Sequence, residues 1–476
     1  MWQFENSYID RLPDQFYSFQ NPEPASDPEV VYFNKSLATS LGIDHITSDE
    51  EVVKQVLSGS QIPAGTQPIA QAYAGHQFGN FTMLGDGRAI LLGELISEGK
   101  RYDLQLKGSG QTKFSRRGDG RATLASMLRE YLMSESMHLL GIPTTRSLAA
   151  VKTGLPVYRE TVNDGGVLAR IASSHIRVGT FEYARFFALP EQLKPFTDYV
   201  IERHYPQLVN VEDNVVRFFQ TVMDRQIDLV VNWMRVGFIH GVMNTDNMSI
   251  AGETIDYGPC AFMNAYHPGT VFSSIDRNGR YAFNNQPRIA HWNLSVLANA
   301  LLPLIDDKQE KAVEKVTAIL DEFPKRFSVR NLAMMRKKLG IVQPEETDEE
   351  LIGNILTLLA NHQIDYTNFF TELRRDQISS ESLLSDVQFI DWKEDWLKAH
   401  SRNDNQQKGL KLMEQNNPVV IPRNHLVESA IDMAVNGDLT EFDALLQAMR
   451  TAYNDSAERQ LVPEDFDQRY QTFCGT

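Results

Sequence analysis

The sequence predicts an α+β fold of two lobes, a β-rich first lobe and a mainly helical second, with an extension at each end. Three observations predict it. From Pro68 the chain runs as short strand patterns punctuated by glycine, clearest over residues 90–95 and 102–107. Beyond Phe181 apolar residues recur at helical spacing, most plainly over 215–236. After that long helix comes a polar loop from His240 to Asn247, with Asp256-Tyr257-Gly258 a few residues later. The implied boundaries are 1–62 for the N-terminal extension, 63–175 for the first lobe, 176–304 for the second and 305–476 for a helical extension of it.

Composition narrows the function classes. A chain of 476 residues is long enough for a large core, and its 42% hydrophobic content is that of a folded globular protein. Forty-six basic against 62 acidic residues leave a net charge of −16, which argues against coating nucleic acid or anchoring on an anionic membrane. The two cysteines, Cys260 and Cys474, exclude a disulfide framework and a four-cysteine zinc site and fit a reducing compartment. Residues 1–6 lack the basic segment and apolar core of a signal peptide, and no apolar run approaches the roughly 20 residues that span a bilayer, so the expected location is cytoplasmic.

In order, residues 1–60 hold aromatics, prolines and two short helical patterns, and read as an extension packed on the neighbouring domain. The glycine-rich stretch 75–87 is either a loop that brings backbone N–H groups to phosphates or a hairpin, which also needs glycine. Over 102–107, Tyr102, Leu104 and Leu106 share one face, and Asp103, Gln105 and Lys107 the other, so Lys107 ends a strand facing a polar cleft. Gly108 to Lys113 is not a P-loop, because Lys113 follows Thr112 and precedes Phe114. A basic turn, 115–121, leads into a helix over 123–140, stopped by Gly141-Ile142-Pro143. On that helix Glu130 is a candidate ion-pair partner for Lys107; Glu135 points to another face, and a solvated glutamate is the alternative for either. Strand patterns come next at 147–151 and 157–161. Arg170 and Arg177, on either side of a small-residue stretch, are candidate bidentate clamps for phosphates. Residues 276–287 read as a structured loop, 292–304 as a helix, and the remainder as acidic and helical, without a metal-spaced His or Cys cluster.

The polar loop carries the chemistry. Asn247 and Asp256 on opposing turns offer hard oxygen donors, suited to Mg²⁺ carrying nucleotide phosphates, and Asp246 could take the proton of an attacking hydroxyl. Protein kinases build such a site from H-R-D-x-x-x-x-N and a later D-F-G. Laid over that pattern, His240 matches the His, Asn247 the Asn and Asp256-Tyr257-Gly258 the D-F-G, while Val242 stands where kinases carry the catalytic Asp. Turn residues of these types also occur without any site. With Val242 in place of the base, ordinary phosphoryl transfer should be weak, and Asp246, four residues on, is the nearest replacement.

The motifs Gly75-His-Gln-Phe-Gly79, Leu84-Gly-Asp-Gly-Arg-Ala89, Leu104-Gln-Leu-Lys-Gly-Ser-Gly110, Ser115-Arg-Arg-Gly-Asp-Gly-Arg121, Gly241 to Ser249, Asp256 to Cys260 and Gly279 to Pro287, in this order, resemble the SelO (selenoprotein-O) family. The resemblance implies a protein-kinase-like two-lobe pseudokinase that moves AMP from ATP to hydroxyl side chains of protein substrates, with ATP flipped so that pyrophosphate leaves. It implies that Lys107, Arg170 and Arg177 meet the phosphates, and that Gly85, Gly87, Arg88, Asp119 and Gly120 make further nucleotide contacts. Glu130 then partners the lysine, Asn247 and Asp256 hold Mg²⁺ (with Mn²⁺ as an alternative), and Asp246 is the base. A kinase and an inert nucleotide-binding scaffold are the competing readings. Selenocysteine-bearing relatives carry that residue near the C-terminus, where this chain has Cys474. A reversible Cys260–Cys474 disulfide pinning the tail near the site is a further expectation, set against a buried Cys260 and an incidental tail thiol.

Overall fold

The computed structural model describes residues 2–454 and 460–473. A mixed α and β architecture is built on one antiparallel sheet of eight strands. In chain order the strands are β1 (Tyr17–Phe19), β2 (Glu29–Phe33), β3 (Ile69–Gln71), β4 (Ala74–Gln77), β5 (Asn80–Met83), β6 (Ala89–Ser97), β7 (Lys100–Lys107), β8 (Ala122–Thr123), β9 (Arg146–Tyr158), β10 (Val162–Ala172), β11 (Phe238–Ile239) and β12 (Ala261–Phe262). The sheet runs β1-β3-β6-β7-β10-β9-β2, with β8 on β10; β4 and β5 form a separate hairpin, and β11 pairs with β12.

The alternation over β7 is what gives the sheet two different faces. Leu104 and Leu106 join Val151, Val167 and Ala169 in a core closed by Leu37, Leu41, Val53 and Leu57 of the first sixty residues. Gln105 and Lys107 turn the other way, toward the helix α1 (Leu124–Leu139), which packs across β9 and β10. The N-terminal extension is therefore part of the sheet structure. It covers one face and supplies both edge strands, β1 and β2.

Several elements differ from expectation. The strands expected at 147–151 and 157–161 are one strand, β9, and the chain turns at 159–161 before returning as β10. Pro156 does not end β9, because β2 pairs only with residues 149–152 and the missing N–H falls beyond its reach. Residues 248–255, whose sequence reads as a short strand-like turn, form no strand and make isolated bridges, Ser249 with Arg177 and Thr254 with Thr144. The helix expected from Trp292 begins at Gln286, since a proline in the first turn lacks only an N–H that has no intrahelical partner there.

The second half of the chain is helical, from α2 (Val178–Phe186) and α3 (Asn214–Val236) to α4 (Gln286–Ile305) and beyond. Two late helices, α5 (Asn424–Val435) and α6 (Thr440–Arg450), fold back onto α1. Arg129 on α1 donates to Glu428 at 2.6 Å, and the Phe442 ring lies against Tyr32 and Tyr131. Among the described residues no helix is long and apolar enough to cross a membrane.

Candidate functional site

A cleft of about 330 Å³ opens between the sheet and the loop after β11. Lys107, the last residue of β7, projects into it, and antiparallel pairing of Gln105 with Arg170 sets the Arg170 side chain beside it. Lys107 Nζ lies 2.5 Å from Glu130 Oε2 of α1 and 2.8 Å from Asp256 Oδ1. Arg170 makes the same two contacts, 3.1 Å to Glu130 Oε1 and 2.7 Å to Asp256 Oδ1, and donates to Gln105 Oε1 at 2.6 Å. Arg177, at the N-cap of α2, reaches Asp256 Oδ2 at 3.5 Å and Asp86 Oδ1 at 3.8 Å and lies over the Tyr73 ring. Glu135, the other helix glutamate, pairs with Arg146 instead.

Three cations thus converge on one carboxylate. Burial alone would raise the Asp256 carboxyl, but Lys107, Arg170 and Arg177 outweigh it and hold it well below the usual carboxylate range. Asp256 sits in the left-handed region, φ 62°, and His240 fixes the chain just before it by an Nε2 contact of 2.9 Å to the Ile255 carbonyl. Val242 lines the cleft, and its carbonyl accepts a hydrogen bond from Asn247 Nδ2 at 3.0 Å. Asn247 is thereby oriented from behind.

Asp246 differs from Asp256. Burial pushes its carboxyl up to about 6 against the pull of Arg177, and among the described residues its buried Oδ1 has no hydrogen-bond partner. Gly75 makes room for it: a Cβ there would stand 2.6 Å from Asp246 Oδ1. The neighbouring Thr245 accepts the His76 N–H at 2.7 Å, and His76 Nδ1 lies 2.5 Å from the buried Glu182 of α2. The β4–β5 hairpin and α2 therefore fix the turn that carries Asp246.

Gly87 and Arg88 line the cleft, whereas Gly85 lies just behind it. The two glycines admit the loop over 112–118: a Cβ on Gly85 would meet the Phe114 ring at 2.4 Å, and one on Gly87 would stand 3.0 Å from the Phe114 carbonyl oxygen. The other glycine-rich part, 74–83, is the β4–β5 hairpin. Asp119 and Gly120 do not reach this cleft. Asp119 pairs with Arg159 at 2.8 Å, and Gly120 packs where a Cβ would strike the Gly110 carbonyl.

Sequence reasoning singled out neither Asp86 nor Asn244. Asp86 is buried in the cleft wall, accepts from the Gln71 N–H and from Gln105 Nε2, and is pushed up to about 6 by burial. The polar face of β7, on which Gln105 lies, was the available signal for it. Asn244 Oδ1 accepts from the Phe78 N–H at 3.0 Å and from the Tyr281 hydroxyl at 2.6 Å, which joins the hairpin to the loop over 276–287. Cys260 is a buried free thiol pushed up to about 12 by burial. The tail does lie against the segment after Asp256, with Thr472 Oγ1 donating to the Pro259 carbonyl at 2.7 Å, but Cys474 lies outside the described residues.

Comparison with known proteins gives a consistent result. The family model described as "Protein adenylyltransferase SelO" matches residues 2–450. A "Protein nucleotidyltransferase YdiU" of Geobacillus kaustophilus is 49% identical over 481 residues, covering 100% of this chain and 99% of the relative. Proteins of the same name from Anoxybacillus flavithermus and Nitrosococcus oceani are 50% and 49% identical, each over 100% of this chain and over 99% and 97% of their own lengths. The chain belongs to the SelO family of protein adenylyltransferases.

Proposed function

We propose that the cleft binds ATP with a divalent cation and that the protein moves AMP to Ser, Thr or Tyr hydroxyls of other proteins. The observation that carries this reading is the convergence of Lys107, Arg170 and Arg177 on Asp256, beside Asn247 and Asp246, with no carboxylate at Val242. Buried cations around one carboxylate suit a polyphosphate, which supplies more negative charge to the same groups. The arrangement of sheet lobe, α1 glutamate, polar loop and Asp256 is read as a protein-kinase-like two-lobe fold.

The donor set fits Mg²⁺, or Mn²⁺ as the alternative. Asn247 and Asp256 both line the cleft, and among the described residues no cluster of three or more His, Cys, Asp or Glu forms a cage. One amide oxygen and one carboxylate, completed by phosphates and water, is the way Mg²⁺ binds with nucleotides. A cation held there would neutralise charge on the phosphates. Lys107, Arg170 and Arg177 bind the phosphates that leave, and Glu130 keeps Lys107 and Arg170 in register. Asp246 accepts the proton of the acceptor hydroxyl; that oxygen bonds to the α-phosphorus as the bond to the β-phosphate oxygen breaks, and pyrophosphate departs. A carboxyl raised to about 6 is still ionised at neutral pH and near the value a base needs.

Labelling a cell lysate with α-labelled against γ-labelled ATP tests this. Proteins should retain the α-label with the wild-type protein and lose it with Asp256→Ala. Retention of γ-label alone would make the protein a kinase.

A further inference from the structure

Among the described residues strand β5 pairs with β4 alone, and all four of its residues, Asn80–Met83, are exposed or half-buried. Its outer edge offers main-chain donors and acceptors to a further strand. Beside that edge Phe81, Phe186 and Phe187, 42%, 46% and 43% exposed, form one aromatic patch, with Phe81 5.6 Å from each of the other two rings. Single exposed apolar residues are ordinary, but a contiguous patch marks a contact surface.

A run of ring contacts connects the patch to the cleft. Phe78, which lines the cleft, meets Tyr281 at 5.3 Å. The Arg280 guanidinium spans Tyr281 and Trp292, 5.7 and 4.8 Å from their centroids. Trp292 meets His76 at 5.4 Å, and His76 meets Phe81 at 4.9 Å. The His76–Glu182 contact anchors this hairpin to α2, so the track has a firm base.

We propose that this face of the hairpin docks the acceptor polypeptide. An extended segment pairs with the free edge of β5, sets a large apolar side chain on Phe81 and Phe187, and delivers a hydroxyl residue to the cleft. The inference rests on the adenylyl-transfer reading, which requires a polypeptide to reach the cleft, and the hairpin that carries Phe81 itself lines the cleft at Phe78. Strand addition supplies affinity through the main chain, and an apolar seat supplies selectivity. The chain reverses at Phe78-Gly79, so Phe78 stands at the turn of the hairpin, in the cleft wall, and Phe81 stands back along β5 opposite His76.

The test uses short synthetic peptides with one Ser, Thr or Tyr and a single Leu or Asn stepped through the positions on either side of it. AMP incorporation is read by mass with ATP and Mg²⁺, for the wild type and for the double variant Phe81→Ser/Phe187→Ser. The wild type should use the Leu-flanked peptides with kcat/KM about tenfold higher, the effect of one aromatic anchor. The double variant should lose that preference through peptide KM, with ATP affinity and unfolding midpoint unchanged. Equal use of both peptide sets by the wild type, or an unchanged preference in the variant, overturns the proposal. So does a dimer in light scattering that the variant disperses while the peptide preference persists, which would assign the patch to a second copy. Absence of AMP from every peptide and protein, with ATP still bound, would fail the adenylyl-transfer reading itself and the docking proposal with it.

Discussion

Asp256 answers to three cations while held at a positive φ, a conformation that costs a non-glycine residue about 1–3 kcal/mol. The ion pairs keep it there, so its substitution has two separable effects. Asp256→Ala should abolish Mg²⁺-dependent nucleotide binding, yet leave Lys107, Arg170 and Arg177 without their shared carboxylate and so retain or strengthen metal-free binding of pyrophosphate. Calorimetric titration with ATP·Mg²⁺ and with pyrophosphate reads both; wild-type affinity for ATP·Mg²⁺ contradicts the site assignment. Asp246→Ala should behave differently, because a base acts on the rate. Its expected kcat is about 10²–10⁴-fold lower with ATP affinity intact. Loss of affinity and rate together would make Asp246 a structural or metal residue.

Between the elements, the critical fit is where α2 meets the hairpin. A Cβ on Gly179 would stand 2.0 Å from the Ala74 carbonyl oxygen and 3.4 Å from Asp246 Cα. Gly179→Ala should therefore cost about 1–3 kcal/mol in denaturant unfolding and also lower kcat, since the displaced strand carries the Asp246 turn with it. Gly353, in the helix Asp348–Asn361, has open space around it, and Gly353→Ala should be neutral or stabilise by up to about 1 kcal/mol. Equal effects at the two positions would contradict the close approach. The same contrast explains what was legible in the sequence. Period-2 alternation put Lys107 on the polar face of β7, and helical spacing separated Glu130 from Glu135; both pairings are local consequences of regular structure. Strands of three and five residues, β1 and β2, are too short to show a period, so their place at the sheet edges was hidden. Asp86 became a site residue only through Gln71, Gln105 and Arg177, which no local pattern connects to it.

At the scale of the whole molecule, the C-terminal region folds back onto α1 through α5 and α6, and buried charge ties the sheet to the helices elsewhere. His175 Nδ1 lies 3.0 Å from Asp103 Oδ2, with Arg203 on the same carboxylate and Arg170 and Arg177 nearby. Burial pushes His175 down from 6.5 to about 4, partly opposed by Asp103. Above pH 6.5 it is neutral whether folded or unfolded; below that the unfolded chain takes up a proton that the folded chain refuses until about pH 4. Stability should therefore fall across that window on acidification, and fall further as Asp103, held below its usual range, is protonated at lower pH. His175→Gln should flatten the dependence of Tm on pH between 6.5 and 4, and an unchanged slope would contradict this. The protein transfers AMP rather than phosphate. Intact-mass analysis of an acceptor protein incubated with this protein, ATP and Mg²⁺ separates the two: the expected result is an AMP-sized gain, absent with Asp256→Ala, and a phosphate-sized gain would contradict it.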